Sequence, residues 1–294
     1  AHIRDYAGCK AGIKQSLANL QTDYVDLLLM HAVDSEATLE LVLEGAVKAA
    51  QEAKAEGLVK HIGISMHGDP TSLIKALERY DFEVVMTVIN YYDDAIQPAV
   101  QGVLLPLARK KDVGIILMKP LGDGFLYRSV EQAFNYAFNQ DVGVVVTGMN
   151  TMEMLVKDLK LANNYPKLDA DQLEHIRNNG PELGNYVCRN CDACLPCPEG
   201  IDMPALFRLE GLFDRQMSDG TLGDGGDFAL KERLKHWFGA SDRAKETYKA
   251  VQIKADRCTS CGVCMDKCPY GIDIITKLSR VDYKLSDQYG KILL

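Results

Sequence analysis

The chain has 294 residues, 47% of them hydrophobic and 25% charged, with a formal net charge of −8 at pH 7. That length suits one large domain and a small one, and the composition is that of a soluble globular protein. The acidic balance argues against a phosphate-binding face for nucleic acid, and no apolar run approaches the roughly 20 residues needed to span a bilayer.

The opening AHIRDYAGCK lacks the apolar stretch of a secretory leader. The expected compartment is therefore the cytoplasm, where thiols stay reduced and metal ligation is favoured over disulfides. Ala rather than Met stands first, and the expected start of the protein lies upstream. The first element is a helix over Lys10–Leu20. Five short apolar runs follow: DYVDLLLM (Asp23–Met30), HIGIS (His61–Ser65), EVVMTVI (Glu83–Ile89), VGIILM (Val113–Met118) and VGVVVTG (Val142–Gly148). Near-continuous apolar runs of this length mark parallel strands covered on both faces.

Helical patterns lie between the runs. In 36–57, Leu39, Val42, Leu43, Ala46, Val47 and Ala50 form one helical face, and Gly57 stands where a C-cap belongs. Asp69-Pro70 reads as an N-cap and a first helical residue ahead of Leu73, Ile74 and Leu77. The strands recur about every 30 residues, the length of a βα unit. An open doubly wound sheet and part of an eight-stranded barrel both fit this order. No G-x-G-x-x-G follows any strand, which weakens the dinucleotide-fold reading. A βα protein that opens on a helix lacks the strand that feeds it, so an N-terminal part is expected to be missing.

NNYPKLDAD (Asn163–Asp171) breaks the pattern and reads as a linker. It divides the chain into domains 1–165 and 166–294. A helix over about 170–179 follows, then a cysteine-rich run. SDGTLGDGGD (Ser218–Asp227) reads as a loop, and Phe228–Val251 as a helix interrupted at Gly239.

Eight of the nine cysteines fall in two knots. The second is Cys258-x2-Cys261-x2-Cys264-x3-Cys268-Pro269, the spacing that holds a [4Fe–4S] cluster in bacterial ferredoxins. Three cysteines at x2 spacing wrap a tight loop around three corners of the cubane. The fourth leaves at another angle, and Pro keeps the chain from curling back. In two-cluster proteins that fourth cysteine ligates the other cluster. The first knot is Cys188-x2-Cys191-x2-Cys194-x2-Cys197-Pro198. Cross-ligation predicts one cluster on Cys188, Cys191, Cys194 and Cys268 and the other on Cys258, Cys261, Cys264 and Cys197. Two zinc sites are the alternative, since paired C-x2-C hooks also suit tetrahedral zinc. Cys9 stands apart as a free thiol.

LANLQTDYVDLLLMH (Leu17–His31), EGLVKHIGIS (Glu56–Ser65), NYYDD (Asn90–Asp94), MKPLGDG (Met118–Gly124) and VVVTGMNTMEMLVKDL (Val144–Leu159) together resemble the aldo-keto reductase family. The two-cluster tail is similar to the branch of that family with a C-terminal ferredoxin-like domain. The resemblance implies a (β/α)8 TIM-type barrel, of which strands 4–8 are present here, followed by a small α-rich iron–sulfur domain. It also implies NAD(P)H, hydride transfer to a small carbonyl compound or from an alcohol, and an active site at the C-terminal strand ends. A redox partner protein is expected for the clusters.

Of the family's Tyr, Lys, Asp and His, the resemblance places only the His here, as His31. Tyr6, Lys10 and Asp5 fall after the expected third strand and are not substitutes, so the chain alone is expected to be inactive. His67 is a further pocket candidate. Ser65 matches the Ser that contacts the nicotinamide amide, but Met66, Met86 and Met118 stand where Asn, Gln and an aromatic ring are usual. Gly122 and Gly124 match the loop at the pyrophosphate, and Asp158 is placed near the adenine. Gly148–Met154 carries no cation for a 2′-phosphate, which leaves NADH and NADPH both open. A non-catalytic iron–sulfur carrier or redox-regulatory protein on a barrel scaffold is the alternative function.

Overall fold

The strand-like runs assemble as parallel neighbours in chain order. The structure, a computed structural model, describes residues 3–33, 35–68, 70–149, 151–217 and 242–286. Strands β1 (Val25–Met30), β2 (Val59–Ser65), β3 (Val84–Val88), β4 (Gly114–Met118) and β5 (Val144–Val146) form one sheet in the order β1-β2-β3-β4-β5. Every adjacent pair is parallel, so each connection crosses over through helix. This is a partial (β/α) barrel. The doubly wound alternative, which needs a reversal of strand order, does not occur.

Helix α1 (Tyr6–Leu20) starts ahead of the expected Lys10 because the Asp5 side chain accepts from Gly8 N at 2.8 Å and caps it. The helical face in 36–57 is built as α2 (Glu36–Leu41), one π turn (Val42–Ala46) and α3 (Val47–Ala55). The π turn has a tertiary cause: Ala46 N donates to Arg4 O at 2.8 Å, and a Cβ on Gly45 would lie 2.3 Å from that oxygen. Gly57 closes the segment at φ 79°, as the C-cap reading requires.

Helix α4 (Thr71–Arg79) starts one residue later than expected, with Pro70 at its N-cap; Asp69 lies outside the described residues. Helices α5 (Tyr91–Ile96) and α6 (Leu105–Lys110) precede β4, and α7 (Val130–Phe138) precedes β5. Strand β5 pairs over three residues and leaves Val144 49% exposed, which shortens the run read from the sequence. Helix α8 (Met152–Asn164) follows, capped by Thr151.

The chain divides into two compact units. The first is Ala1–Asn90, Ala99–Pro120 and Phe134–Pro166; the second is Tyr91–Pro98, Leu121–Ala133 and Lys167–Leu294. The first unit buries Ile62, Ile64, Val85 and Leu117 from the sheet with Ala49, Ala50 and Leu73 from the helices. The second contains α9 (Ala170–Asn179), α10 (Met203–Met217), α11 (Asp242–Ala250) and α12 (Ile274–Leu285). A capping box of Asp169 and Gln172 starts α9 where the sequence places it. The core of this unit is Met203, Leu206, Phe207, Tyr248, Ile274, Leu278 and Val281, with Cys194 at its edge. The Ser218–Asp227 loop and the break at Gly239 lie outside the described residues. Among the described residues no helix is long and apolar enough to cross a membrane.

Candidate functional site

Parallel strands bring their C-terminal ends to one edge of the sheet, and the polar residues of the first unit collect there. His31 follows β1 directly, and Met30 pairs with Ile64, so His31 lies beside the end of β2. Its Nε2 is 3.2 Å from Nε2 of His67, in the loop after β2, with the rings edge to face at 71°. Both imidazoles are half-buried, and the tautomers decide which ring donates across this contact. Ala32, the next residue, sits at φ 52°, and the Arg4 guanidinium donates to its carbonyl at 3.0 Å. Arg4 thereby fixes the turn that presents His31.

Ser65 is the last residue of β2 and is 1% exposed. Its carbonyl accepts from Val33 N at 3.0 Å, but its Oγ has no hydrogen-bond partner among the described residues. A buried hydroxyl without a partner is costly, and it fits a ligand polar group that completes it. Met86 pairs with Ser65 in register, and Met118, buried, ends β4. Met66 is fully buried in the packing beneath. Asn90, just past β3, is also fully buried and donates to Lys119 O at 3.0 Å, joining the ends of β3 and β4. The sequence offered Asn90 only as part of a resembling stretch.

Gly122 and Gly124 lie in the second unit, in a 3-10 turn after β4, at φ 56° and 98°. Glycine carries these angles without strain, while Asp123 between them also takes a positive φ of 55°. Asp158 is half-buried on α8 in the first unit. Cys9 is a buried free thiol whose Sγ lies 3.6 Å from Ala46 O, a packing role.

In the second unit cysteines of the two knots lie close enough to act on one another. Burial pushes the Cys188 thiol up, and Cys191 and Cys268 act on it as charged neighbours while Lys277 pulls it back. Burial likewise raises Cys264, and its charged neighbours are Cys258, Cys197 and Cys261. Cys197, Cys258, Cys261 and Cys264 also line one pocket with Pro196, Pro198, Met203 and Leu278. The neighbours of Cys264 are those cross-ligation would pair with it, whereas Cys194, pushed up to about 11 by burial, has Cys264 of the other knot beside it as well as Cys188 and Cys191. Among the described residues no three His, Cys, Asp or Glu side chains form a group able to hold a single metal ion.

The two knots repeat each other beyond the cysteines. Residues two and four places after each first cysteine have positive φ: Asn190 and Asp192 in one, Ser260 and Gly262 in the other. Alternating backbone of this kind turns N–H groups inward, as with Asn190 N, which donates to Cys188 Sγ at 3.4 Å. Cys-Pro-x-Gly-Ile-Asp then occurs twice, from Cys197 and from Cys268. Gly200 and Gly271 close turns onto the carbonyls of Cys197 and Cys268, Ile201 and Ile272 are buried, and Asp202 and Asp273 accept from Ala205 N and Thr276 N at the starts of α10 and α12. This six-residue repeat was readable in the sequence but is masked by the different spacing before it.

Sequence reasoning missed a buried charge cluster. Glu210 on α10 and Lys277 on α12 are 1% and 4% exposed and paired directly, and Lys284 reaches Glu210 at 3.0 Å. Tyr186 donates to Glu210 and lies under Lys277, whose Nζ is 3.4 Å from the ring centroid. Burial would raise the Glu210 carboxyl, but Lys277 and Lys284 outweigh it and hold it below its ordinary range. Lys277, Glu210, Tyr186 and Cys188 line one small cavity. These partners are 67 residues apart in the chain, and no local pattern joins them.

A family model described as the aldo/keto reductase family matches residues 5–169, and one described as a 4Fe-4S dicluster domain matches residues 187–272. D-threo-aldose 1-dehydrogenase of Pseudomonas sp is 35% identical over 123 residues, which cover 42% of this chain and 36% of that protein. L-galactose dehydrogenase of Arabidopsis thaliana is 31% identical over 118 residues, 40% of this chain and 36% of that protein. The chain thus matches little more than a third of the length of these two relatives. An aldo-keto reductase from Bacillus halodurans, in its holo form, superposes with a TM-score of 0.50 at 22% identity, over 60% of this chain and 68% of that one, a likeness of fold.

Proposed function

The chain belongs to the aldo/keto reductase family and carries a 4Fe-4S dicluster domain, and on that premise we propose that it is a nicotinamide-dependent oxidoreductase acting on a small carbonyl compound or its alcohol, with two [4Fe–4S] clusters that serve a redox partner protein. The observation that carries the nicotinamide reading is the buried Ser65 Oγ without a partner, one register step from His31 at the C-terminal edge of the sheet. When bound, the nicotinamide supplies a hydride. Ser65 Oγ would hold its amide group, and Met118 would stand beside the ring. His31, backed by His67, orients the carbonyl oxygen and excludes water from that side.

On this reading the knots cross-ligate: Cys188, Cys191, Cys194 and Cys268 would hold the first cluster, and Cys258, Cys261, Cys264 and Cys197 the second. A hydride carries two electrons and a cluster takes one, so the clusters are assigned to a partner and not to the hydride step.

The test of the nicotinamide site is a fluorescence titration of the anaerobically purified chain with NADH and NADPH, beside Ser65→Ala. Because Ser65 Oγ has no intramolecular bond to lose, the variant keeps its stability. One neutral hydrogen bond is worth about 0.5–1.5 kcal/mol, so affinity falls about three- to tenfold. Equal affinity in the variant, or no saturable binding to the parent chain, would remove the nicotinamide reading.

A further inference from the structure

The repeat within the second unit makes its two cysteine groups comparable position by position, and they differ in charge. Leu206 and Lys277 stand at the same place: each lies nine residues after its knot's last cysteine, and each backbone N–H bonds the carbonyl of the capping Asp, Asp202 or Asp273. At that place the group of Cys258, Cys261, Cys264 and Cys197 has buried, neutral Leu206, and the group of Cys188, Cys191, Cys194 and Cys268 has buried Lys277.

A second position agrees. Arg189 directly follows Cys188; its counterpart after Cys258 is Thr259. The Arg189 guanidinium is held by the carbonyls of Asn178 at 2.9 Å and Gly184 at 2.7 Å and stacks over Tyr270, 4.6 Å to the centroid. Tyr270 in turn has Glu199 as its counterpart, and Glu199 lines the pocket of the other group with Thr259. Asp192 and Arg257 run the other way, but both are exposed, where water and salt screen them. Buried Glu210 opposes Lys277, but Lys284 pairs with it too, so these three side chains together leave one net positive charge on the Cys188 side.

Reduction adds one negative charge to a cluster, and a buried cation beside it favours that state. We propose that the cluster held by Cys188, Cys191, Cys194 and Cys268 has the higher reduction potential of the two, and that buried Lys277 is the residue that sets them apart. This rests on the iron–sulfur reading above. The electron of the singly reduced protein resides on this cluster, and Lys277 acts through charge alone: it forms no bond to the iron.

The experiment is a redox titration of the anaerobically purified full chain followed by electron paramagnetic resonance, with iron and sulfide measured first. The parent chain shows two waves. Lys277→Met moves the upper wave to lower potential and leaves the lower wave in place, while Lys277→Arg leaves both. Glu210→Gln removes the opposing charge with little change of shape, moves the upper wave up, and carries the test if Lys277→Met fails to fold. Waves that do not move, that move together, or of which only the lower moves would overturn the assignment while leaving the clusters in place. Absence of iron and sulfide would instead overturn the iron–sulfur reading beneath it.

Discussion

The two units solve the problem of a stable core in different ways. The first buries Ile62, Ile64, Val85 and Leu117 of β2–β4 with residues of the crossover helices, and His31, Ser65 and Asn90 stand at the sheet's C-terminal edge. The second has a small apolar core, eight cysteines grouped across two loops, and a charge cluster of Glu210, Lys277 and Lys284 in its interior. Area removed from water is the main source of stability in one. In the other, the proposed cross-ligation would join distant segments through thiolate–metal bonds and couple binding to folding. The lesson is that the same chain carries one unit that folds around its own side chains and one whose architecture presupposes a cofactor.

The largest expected effect breaks the comparison at that point. Chelation of iron from the full chain removes hydrogen-exchange protection from α10 and α12 and leaves β1–β4 protected. Persistent protection of α12 without iron would mean that the cysteines decorate a core that is stable by itself. A smaller effect sharpens the other side. Leu117→Ala, at a fully buried position of β4, lowers the stability of the sheet by about 2–5 kcal/mol, read by urea unfolding. Its iron content stays unchanged; a loss of both together would show that the units do not unfold separately.

The smallest effect is electrostatic. Burial would raise Glu83, but hydrogen bonds from Lys54, His61 and Ile62 N outweigh it and hold the carboxyl at about 2, below its ordinary 4.5. A carboxyl depressed by folding stabilises above its unfolded value, and this contribution is lost as pH falls from about 4.5 towards about 2. Glu83→Gln flattens the acid limb of the first unit's stability curve over that window. An unchanged limb would show that these partners contribute nothing net.

Strands and cysteines were legible in the sequence because their signals are local: a continuous apolar run, a fixed spacing. The same holds for Gly57 and for the span of α9. What escaped was set by contacts between distant residues. The π turn at Val42–Ala46 depends on the backbone of Arg4, and the Glu210–Lys277 pair joins two helices through a core. His31 and Ser65 were proposed from resemblance, yet the contact with His67 and the unpartnered Ser65 Oγ needed coordinates. The Cys-Pro-x-Gly-Ile-Asp repeat was visible throughout and went unread, because the knots ahead of it differ by one residue.

The claim that one chain joins a reductase-type sheet to two cubane clusters is tested most directly by counting. Metal and acid-labile sulfide are measured on the anaerobically purified chain. Two [4Fe–4S] clusters require about eight iron and eight sulfide per chain, and that is the result expected. Stoichiometric zinc with no sulfide would contradict it, and the two cysteine groups would then be tetrahedral structural sites with no part in electron transfer.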